Sequence, residues 1–313
     1  MLNKATVILL AVVFVVSSSA VAGFFTQDVV GQVSQVSYSH YLDNMLYTHA
    51  GDDRGFGPEH DLARSNIYSE FGTFGLTAGL HSFSYSGDTY YNVIATHYGT
   101  VRPDDIYIVG AHYDSMNNPG ADDNASGTAG VLEAARVLSQ YDFEATLVFA
   151  CFDREEQGLV GSRAYADEHS SSNILGMISL DMIAYNGSGE NKAKIYGRSS
   201  SDVLKQGLAD AVSLYGDGLS ADVLGTLNAS DHAPFEDNGF QAALLIEYDV
   251  WDNPYYHQSG DSVDTLGYID YAFATNMVGS TVGFLADAAV LVPEPSTLLL
   301  LSVGVAVLRR RKL

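Results

Sequence analysis

Four short apolar runs limit what this chain can fold into. Residues 106–111, 145–152, 174–180 and 242–247 are dominated by Val, Ile, Leu, Phe and Ala, and each reads as a strand buried on both faces. The first ends in Gly110-Ala111 and passes through polar residues into Gly120-Ala121-Asp122-Asp123-Asn124-Ala125-Ser126-Gly127. Ala129, Val131, Leu132, Ala135, Val137 and Leu138 then recur at helical spacing, with Ser126 placed to cap that helix. Strands alternating with helices make an α/β domain, and 313 residues are enough for one large domain with a well-buried core.

Open α/β sheets bind ligands beyond the carboxyl ends of their strands, and this chain collects its candidate ligands there. His112 and Asp114 follow the first run, and Asp123 lies in the loop after them. Asp153-Arg154-Glu155-Glu156 follows the second run, Asp181 the third, and His257 lies in a loop beyond the fourth. Asp114 is two residues from His112, on the same side of an extended chain. There it can accept the second ring N–H and fix the tautomer. Of two adjacent glutamates, one can hold a cation while the other takes a proton from water. Taken singly, these are also what a strand-end histidine, solvated loop acids and acids in a first helical turn would look like. Together, two histidines and three carboxylates suit a pair of borderline cations such as Zn²⁺, with one carboxylate shared. Ser230-Asp231-His232 is too compact in sequence for a catalytic triad, and the chain has no G-x-S-x-G turn. Ser230 and Asp231 read as caps of a short helix, with His232 packed near the site.

The remaining body reads as support. Residues 23–48 predict one helix from about Val29, and 59–75 a helix with Leu62, Ile67, Phe71 and Phe74 inward. Strands are expected at 83–86 and 91–96, around Gly87-Asp88. Helices are expected at 200–215, carrying Val203, Leu204, Leu208, Val212 and Leu214, and at 266–291. His40, His49, His60, His81 and His97 lack ligand partners and read as surface or half-buried histidines. Cys151, the one cysteine, excludes an internal disulfide and reads as a small core residue.

Both ends look like addresses. A basic start to Lys4, an apolar run at 5–16 and Ala20-Val21-Ala22 make residues 1–22 a signal peptide. Val292-Pro293-Glu294-Pro295-Ser296, a further apolar run and Arg309-Arg310-Arg311-Lys312 resemble the bacterial Pro-Glu-Pro carboxyl-terminal sorting signal. That run is short of the about 20 apolar residues a span needs. The resemblance implies export to the surface or exterior of a Gram-negative bacterium and recognition by an exosortase-type sorting enzyme. Membrane contact would be transient and confined to the terminal segments. The chain divides accordingly into 1–22, a body at 23–291, and 292–313. The ends hold five of the 15 Lys and Arg and one of the 38 Asp and Glu, leaving ten bases against 37 acids in the body. Such an excess argues against nucleic acid or anionic membrane as a partner, and suits cations and ammonium groups.

The motifs Gly110-Ala-His-Tyr-Asp-Ser115, Gly120-Ala-Asp-Asp-Asn-Ala-Ser-Gly127, Phe152-Asp-Arg-Glu-Glu-Gln-Gly-Leu-Val-Gly-Ser162, Leu180-Asp-Met182, Ser230-Asp-His232 and Tyr256-His257 together resemble the co-catalytic zinc aminopeptidases. That group includes bacterial leucyl aminopeptidases and, more distantly, glutamate carboxypeptidase. The resemblance implies a single-domain, three-layer α/β/α sandwich with a mixed, mostly parallel central sheet. It implies two Zn²⁺ ions, with Asp123 bridging, His112 and Asp181 on one, and Glu156 and His257 on the other. Glu155 is implied as the general base for a water held between the metals, Asp114 as the partner of His112, and Tyr256 as a group that steadies the oxyanion. His232 matches its motif but is not a ligand. The implied reaction removes the first residue of peptides that have a free N-terminus. On the same fold, the alternatives are a carboxypeptidase, a glutaminyl cyclase, or an inactive surface or matrix binding protein. A carboxypeptidase would need a basic pocket, and only Arg154 adjoins a motif; an inactive member would be expected to have lost a ligand or the base.

Overall fold

The computed structural model describes residues 25–292, so the signal peptide expected at 1–22 and all but the first residue of the sorting segment expected at 292–313 lie outside the described residues. After a helical stretch at 25–30, the elements are α1 (Gln35–His40), α2 (Pro58–Thr73), β1 (Thr77–Tyr85), β2 (Asp88–His97), β3 (Arg102–His112), α3 (Gly127–Leu138), β4 (Ala145–Phe152), α4 (Val160–Glu168) and β5 (Asn173–Leu180). They continue with β6 (Lys192–Tyr196), α5 (Asp202–Tyr215), β7 (Ser220–Val223), α6 (His232–Asp237), β8 (Ala242–Glu247) and α7 (Tyr271–Ala288).

The strands form one mixed sheet in the spatial order β1-β2-β4-β3-β5-β8-β6-β7. Its centre, β4-β3-β5-β8, is parallel. Every residue of β4 and β8 is buried, which is why both appear in the sequence as unbroken apolar runs. Alternate residues serve opposite faces. Leu147, Phe149 and Cys151 join the core under α1, α2, α3, α5 and α7, whereas Val148, Ala150 and Phe152 pack with Tyr165 of α4 and Phe235 of α6. The result is the expected three-layer α/β/α sandwich. The chain leaves β3 for β4 on one side, then crosses to β5 on the other. This reversal opens a crevice at the carboxyl ends of β3 and β5, where open sheets take ligands. Register finishes the placement: His112 lies beside Phe152, and Gly110 beside Ser179, two residues short of His112 and Asp181 respectively.

Several sequence expectations change. The helix expected over 23–48 breaks at Gly31–Ser34, and α1 runs on into a wider turn, Tyr41–Met45. Leu62, Val203 and Leu214 point outward, at 47%, 79% and 64% exposure, although their spacing suggested the core. The last helix begins at Tyr271 rather than near residue 266. Ser126 does not cap α3; its backbone is already helical and its hydroxyl donates to the Asp122 carbonyl. Strands β6 and β7 have no counterpart in the sequence reading, because short strands near a sheet edge carry too few apolar residues to stand out. No helix among the described residues is long and apolar enough to cross a membrane.

Candidate metal centre

The sequence-predicted ligands converge above the four parallel strands. β3 delivers His112 at its last residue. Beyond it the chain turns at Gly120, whose φ is 57° and where a Cβ would stand 2.5 Å from the Asp123 carbonyl oxygen, so only glycine fits. After the turn the Ala121 N–H donates to the Asp261 carbonyl at 3.1 Å, and the N–H groups of Asp122 and Asp123 donate to the two carboxylate oxygens of Asp261 at 2.7 and 3.1 Å. Asp122 in turn accepts from Ala184 N–H at 2.8 Å and from Asn253 Nδ2 at 3.1 Å. Asp123 is thus aimed from both sides, and its peptide bond to Asn124 is cis.

Asp123 Oδ1 faces His112 Nε2 at 3.4 Å, and Asp123 Oδ2 faces His257 Nε2 at 3.1 Å. Asp181 Oδ1 stands 3.6 Å from His112 Nε2, and Glu156 Oε2 stands 3.3 Å from His257 Nε2. Most of these separations exceed an ordinary N–H···O bond. They match the edge of a tetrahedron of donors about 2.1 Å from a shared cation, roughly 3.4 Å. Asp181 Oδ1 and Glu156 Oε1 are buried and accept no hydrogen bond among the described residues. Buried carboxylate oxygens rarely stay unpartnered, so the set fits a divalent cation on each side of Asp123. Two groupings bring potential ligand atoms within 4.8 Å of one another, His112 with Glu155 and Asp181, and His112 with Asp123 and Glu156; His257 belongs to neither and meets the site through Asp123 and Glu156. In the first, Glu155 Oε2 is further from His112 Nε2 than Asp181 Oδ1 is, at 3.9 Å.

The predicted supporting residues also arrive. Asp114 is fully buried, with Oδ1 3.5 Å from His112 Nδ1. The His112 ring lies still closer to the Asp114 carbonyl, at 3.2 Å. The Asp114 carboxylate also accepts the backbone N–H groups of Glu155 at 3.2 Å and Glu156 at 3.3 Å, joining the first site loop to the second. Tyr256 is half exposed, and its ring stacks on that of His257 with centroids 4.0 Å apart. Its phenol shows a raised pKa, through burial and then the neighbouring acids, and is therefore a donor at neutral pH.

Electrostatics separates the acids. Burial opposes the charge on Asp123, but the two imidazoles, His112 first, hold its carboxyl below the usual range. Burial pushes Glu155 well above the carboxylate range, and His112 offsets only part of this. Burial and Asp123 raise Glu156 to about 7, while Asp123 and Glu156 raise His257 to about 10. Asp231, expected only as a cap, is fully buried and raised to about 7 by burial; its side chain caps nothing. His60, expected at the surface or half-buried, is instead buried against Asp153, with Nε2 2.8 Å from Oδ1. Two contributors escaped the sequence reading. Asp261 lies four residues beyond His257, in the same loop. Arg54 sits in a Gly/Asp-rich loop, where its rarity as a base was the one available signal.

Comparison with known proteins extends this picture. The model of peptidase family M28 matches residues 92–279, more than half of the chain, and the PEP-CTERM protein-sorting motif matches residues 291–312. A probable leucine aminopeptidase of Trichophyton verrucosum is 32% identical over 213 residues, covering 63% of this chain and 56% of its own length. The chain thus spans about half the length of the curated relatives it matches. The LapA aminopeptidase of Legionella pneumophila superposes with a TM-score of 0.73 at 22% identity, over 84% of this chain and 74% of that one. BSAP, a zinc aminopeptidase of Bacillus subtilis, superposes with a TM-score of 0.58 at 27% identity, over 65% of this chain and 51% of that one.

Proposed function

The chain belongs to peptidase family M28, and from that premise we propose that it is an exported two-zinc aminopeptidase acting on peptides with a free N-terminus. The observation that carries this reading is Asp123, whose two carboxylate oxygens each face a different histidine. In this reading His112 and Asp181 hold one cation, Glu156 and His257 hold the other, and Asp123 serves both. The bound pair would supply Lewis acidity to a water molecule and to the scissile carbonyl.

The protein's own groups do the rest. Glu155, made more basic by burial, takes the proton from the attacking water and passes it to the leaving amine. Asp114 keeps His112 in one tautomer and, through two backbone N–H groups, fixes where both glutamates stand. Tyr256 donates its phenol hydrogen to the oxyanion. The acids around the cleft favour the substrate's ammonium group. Among the described residues, Arg54 and Arg154 are the cations of the site loops, and both are fully buried and engaged, so neither is offered to a substrate carboxylate. Export rests on the residues at 1–22 and on the matched sorting motif, with a membrane sorting enzyme as the partner of the latter.

The test is hydrolysis of aminoacyl-anilides against their N-acetylated forms, with and without a chelator, alongside a zinc determination. The reading expects chelator-sensitive cleavage of free-amine substrates and two zinc ions per chain. Cleavage of blocked substrates would make it another type of peptidase. Two bound metals with neither substrate cleaved would point to another chemistry on this fold, and an inert, metal-free protein to a binding role.

A further inference from the structure

Both site loops touch a third segment, residues 51–57, which precedes the stretch matched by the family model. Arg54 is its centre. The side chain is fully buried, and among the described residues it forms no ion pair. Its guanidinium is spent on carbonyl oxygens. Nε donates to Tyr113 at 2.9 Å, Nη1 to Tyr47 at 3.1 Å and to Pro119, and Nη2 to Gly120 at 2.6 Å. The Arg54 backbone N–H donates to Ser115 Oγ at 2.9 Å, and that hydroxyl donates to the Asn118 carbonyl, also at 2.9 Å. One arginine therefore grips the loop from His112 to Asp123 at several points, including the glycine turn that aims Asp123.

The second loop reaches up to the same segment. Arg154 Nη1 donates to the Gly55 carbonyl, and its guanidinium lies 4.1 Å from the centre of the Phe56 ring and 4.3 Å from that of Tyr90. Its Nε is 3.2 Å from Asp153 Oδ1, at the base of the Glu155–Glu156 loop. Between the two arginines the segment is seated tightly. A Cβ on Gly55 would stand 2.8 Å from the Ser115 carbonyl oxygen. Planar guanidinium groups suit this arrangement, because their donors point along fixed directions in one plane, which an ammonium cannot reproduce. The Arg54 charge also lies in the field of Asp261, Asp114 and Asp123, so it offsets acids buried behind the site.

We propose that residues 51–57 form a strap that sets the separation of the His112–Asp123 loop from the Glu155–Glu156 loop, with Arg54 and Arg154 as positioning residues. The inference rests on the two-cation reading, because the gap it controls is the one that the cations would span. Asp114 holds the Glu155 and Glu156 backbone from one side, the strap holds the preceding residue, Arg154, from the other, and neither arginine touches the reacting groups.

Two variants of the full chain test it, and a third, Arg54→Ala, serves for chemical rescue. Arg54→Lys keeps the charge but loses the fork, and Gly55→Ala lifts the strap from the Ser115 carbonyl without altering any charge. Zinc affinity of the metal-stripped protein is read by calorimetry, and kcat and KM with a leucine anilide. Both variants are expected to bind zinc about tenfold more weakly and to lose roughly 10–100-fold in kcat, with KM within about threefold of the parent. Methylguanidine is expected to restore part of the kcat of Arg54→Ala, and methylamine none. Zinc affinity and kcat within about twofold of the parent in folded variants, with only a lower Tm, would make the strap merely structural and overturn the proposal. Should Arg54→Lys fail to fold, Gly55→Ala decides. Should the parent bind zinc yet cleave nothing, the aminopeptidase reading fails while the zinc affinities still decide the strap. A parent that binds no zinc overturns both.

Discussion

Glu155 and Glu156 are adjacent and chemically identical, and only their surroundings divide the work. Glu156 faces His257 at 3.3 Å, whereas the nearest imidazole nitrogen to Glu155, on His112, is 3.9 Å away. Removing the Glu155 charge should therefore stop proton transfer without releasing metal. Glu155→Gln is expected to lower kcat by roughly 10²–10⁴-fold while metal content stays at the parent value, checked by steady-state kinetics and metal analysis on one preparation. Loss of metal along with activity would instead make Glu155 a ligand. His232 gives a separate residue-scale prediction. Burial lowers its pKa from 6.5 to about 4. Between those values the unfolded chain binds a proton that the folded chain refuses, so acid favours unfolding. The stability is complete above pH about 6.5, declines as the pH falls, and is lost by pH about 4, a total of about 3 kcal/mol. Urea unfolding of parent and His232→Gln across that range should show the shallower pH dependence in the variant, and parallel curves would rule the effect out.

The ligand loops depend on how elements meet at the carboxyl edge of the sheet. Asn124 joins α3 to β5: its Nδ2 donates to the Leu180 carbonyl at 2.9 Å, and its Oδ1 accepts from Gly127 N–H at 2.9 Å. A Cβ on Gly127 would collide with both the Leu180 carbonyl oxygen and Asn124 Oδ1. Gly127→Ala is thus expected to push the loop of Asp123 away from the strand end that bears Asp181, costing about 1–3 kcal/mol, several degrees in Tm. Gly130→Ala, which meets only the ends of Leu180, Ile183 and Val278 at 3.0–3.2 Å, should cost less, and equal losses in calorimetry would refute the contact argument. The same edge explains what the sequence revealed. The four central strands announced themselves because burial on both faces demands unbroken apolar runs; His112, Glu156 and Asp181 follow those runs closely, while Asp123 and His257 lie further on in the loops. Val203 and Leu214 misled because helical spacing does not tell which of two apolar stripes faces the core. Arg54 left no pattern, since it acts through carbonyl groups of a loop nearly sixty residues on, and every residue has a carbonyl.

At the scale of the molecule the dominant fact is charge. The net charge is −23, and of the ten body cations eight lie in ion pairs with carboxylates. The other two are also occupied, Arg54 by carbonyl oxygens and Lys194 above the Tyr248 ring at 4.6 Å. No described cation is therefore left free to relieve repulsion among the remaining acids. Salt acts on this balance in two directions: it weakens the ion pairs and it screens the repulsion. Exposed pairs contribute little each, whereas the repulsion is summed over a large acid excess, so screening should win. Raising NaCl from about 10 to about 500 mM is expected to raise Tm by roughly 2–8 °C, the shift that 1–2 kcal/mol produces in a chain of this size. The same field should act on substrate encounter. At low salt kcat/KM for a peptide with lysines beyond its first residue should exceed that for the matching glutamate peptide, and the two should converge as salt is added. A Tm that falls with salt would mean that the ion pairs outweigh the repulsion. A rising Tm with an unchanging substrate ratio would place the acid excess away from the cleft.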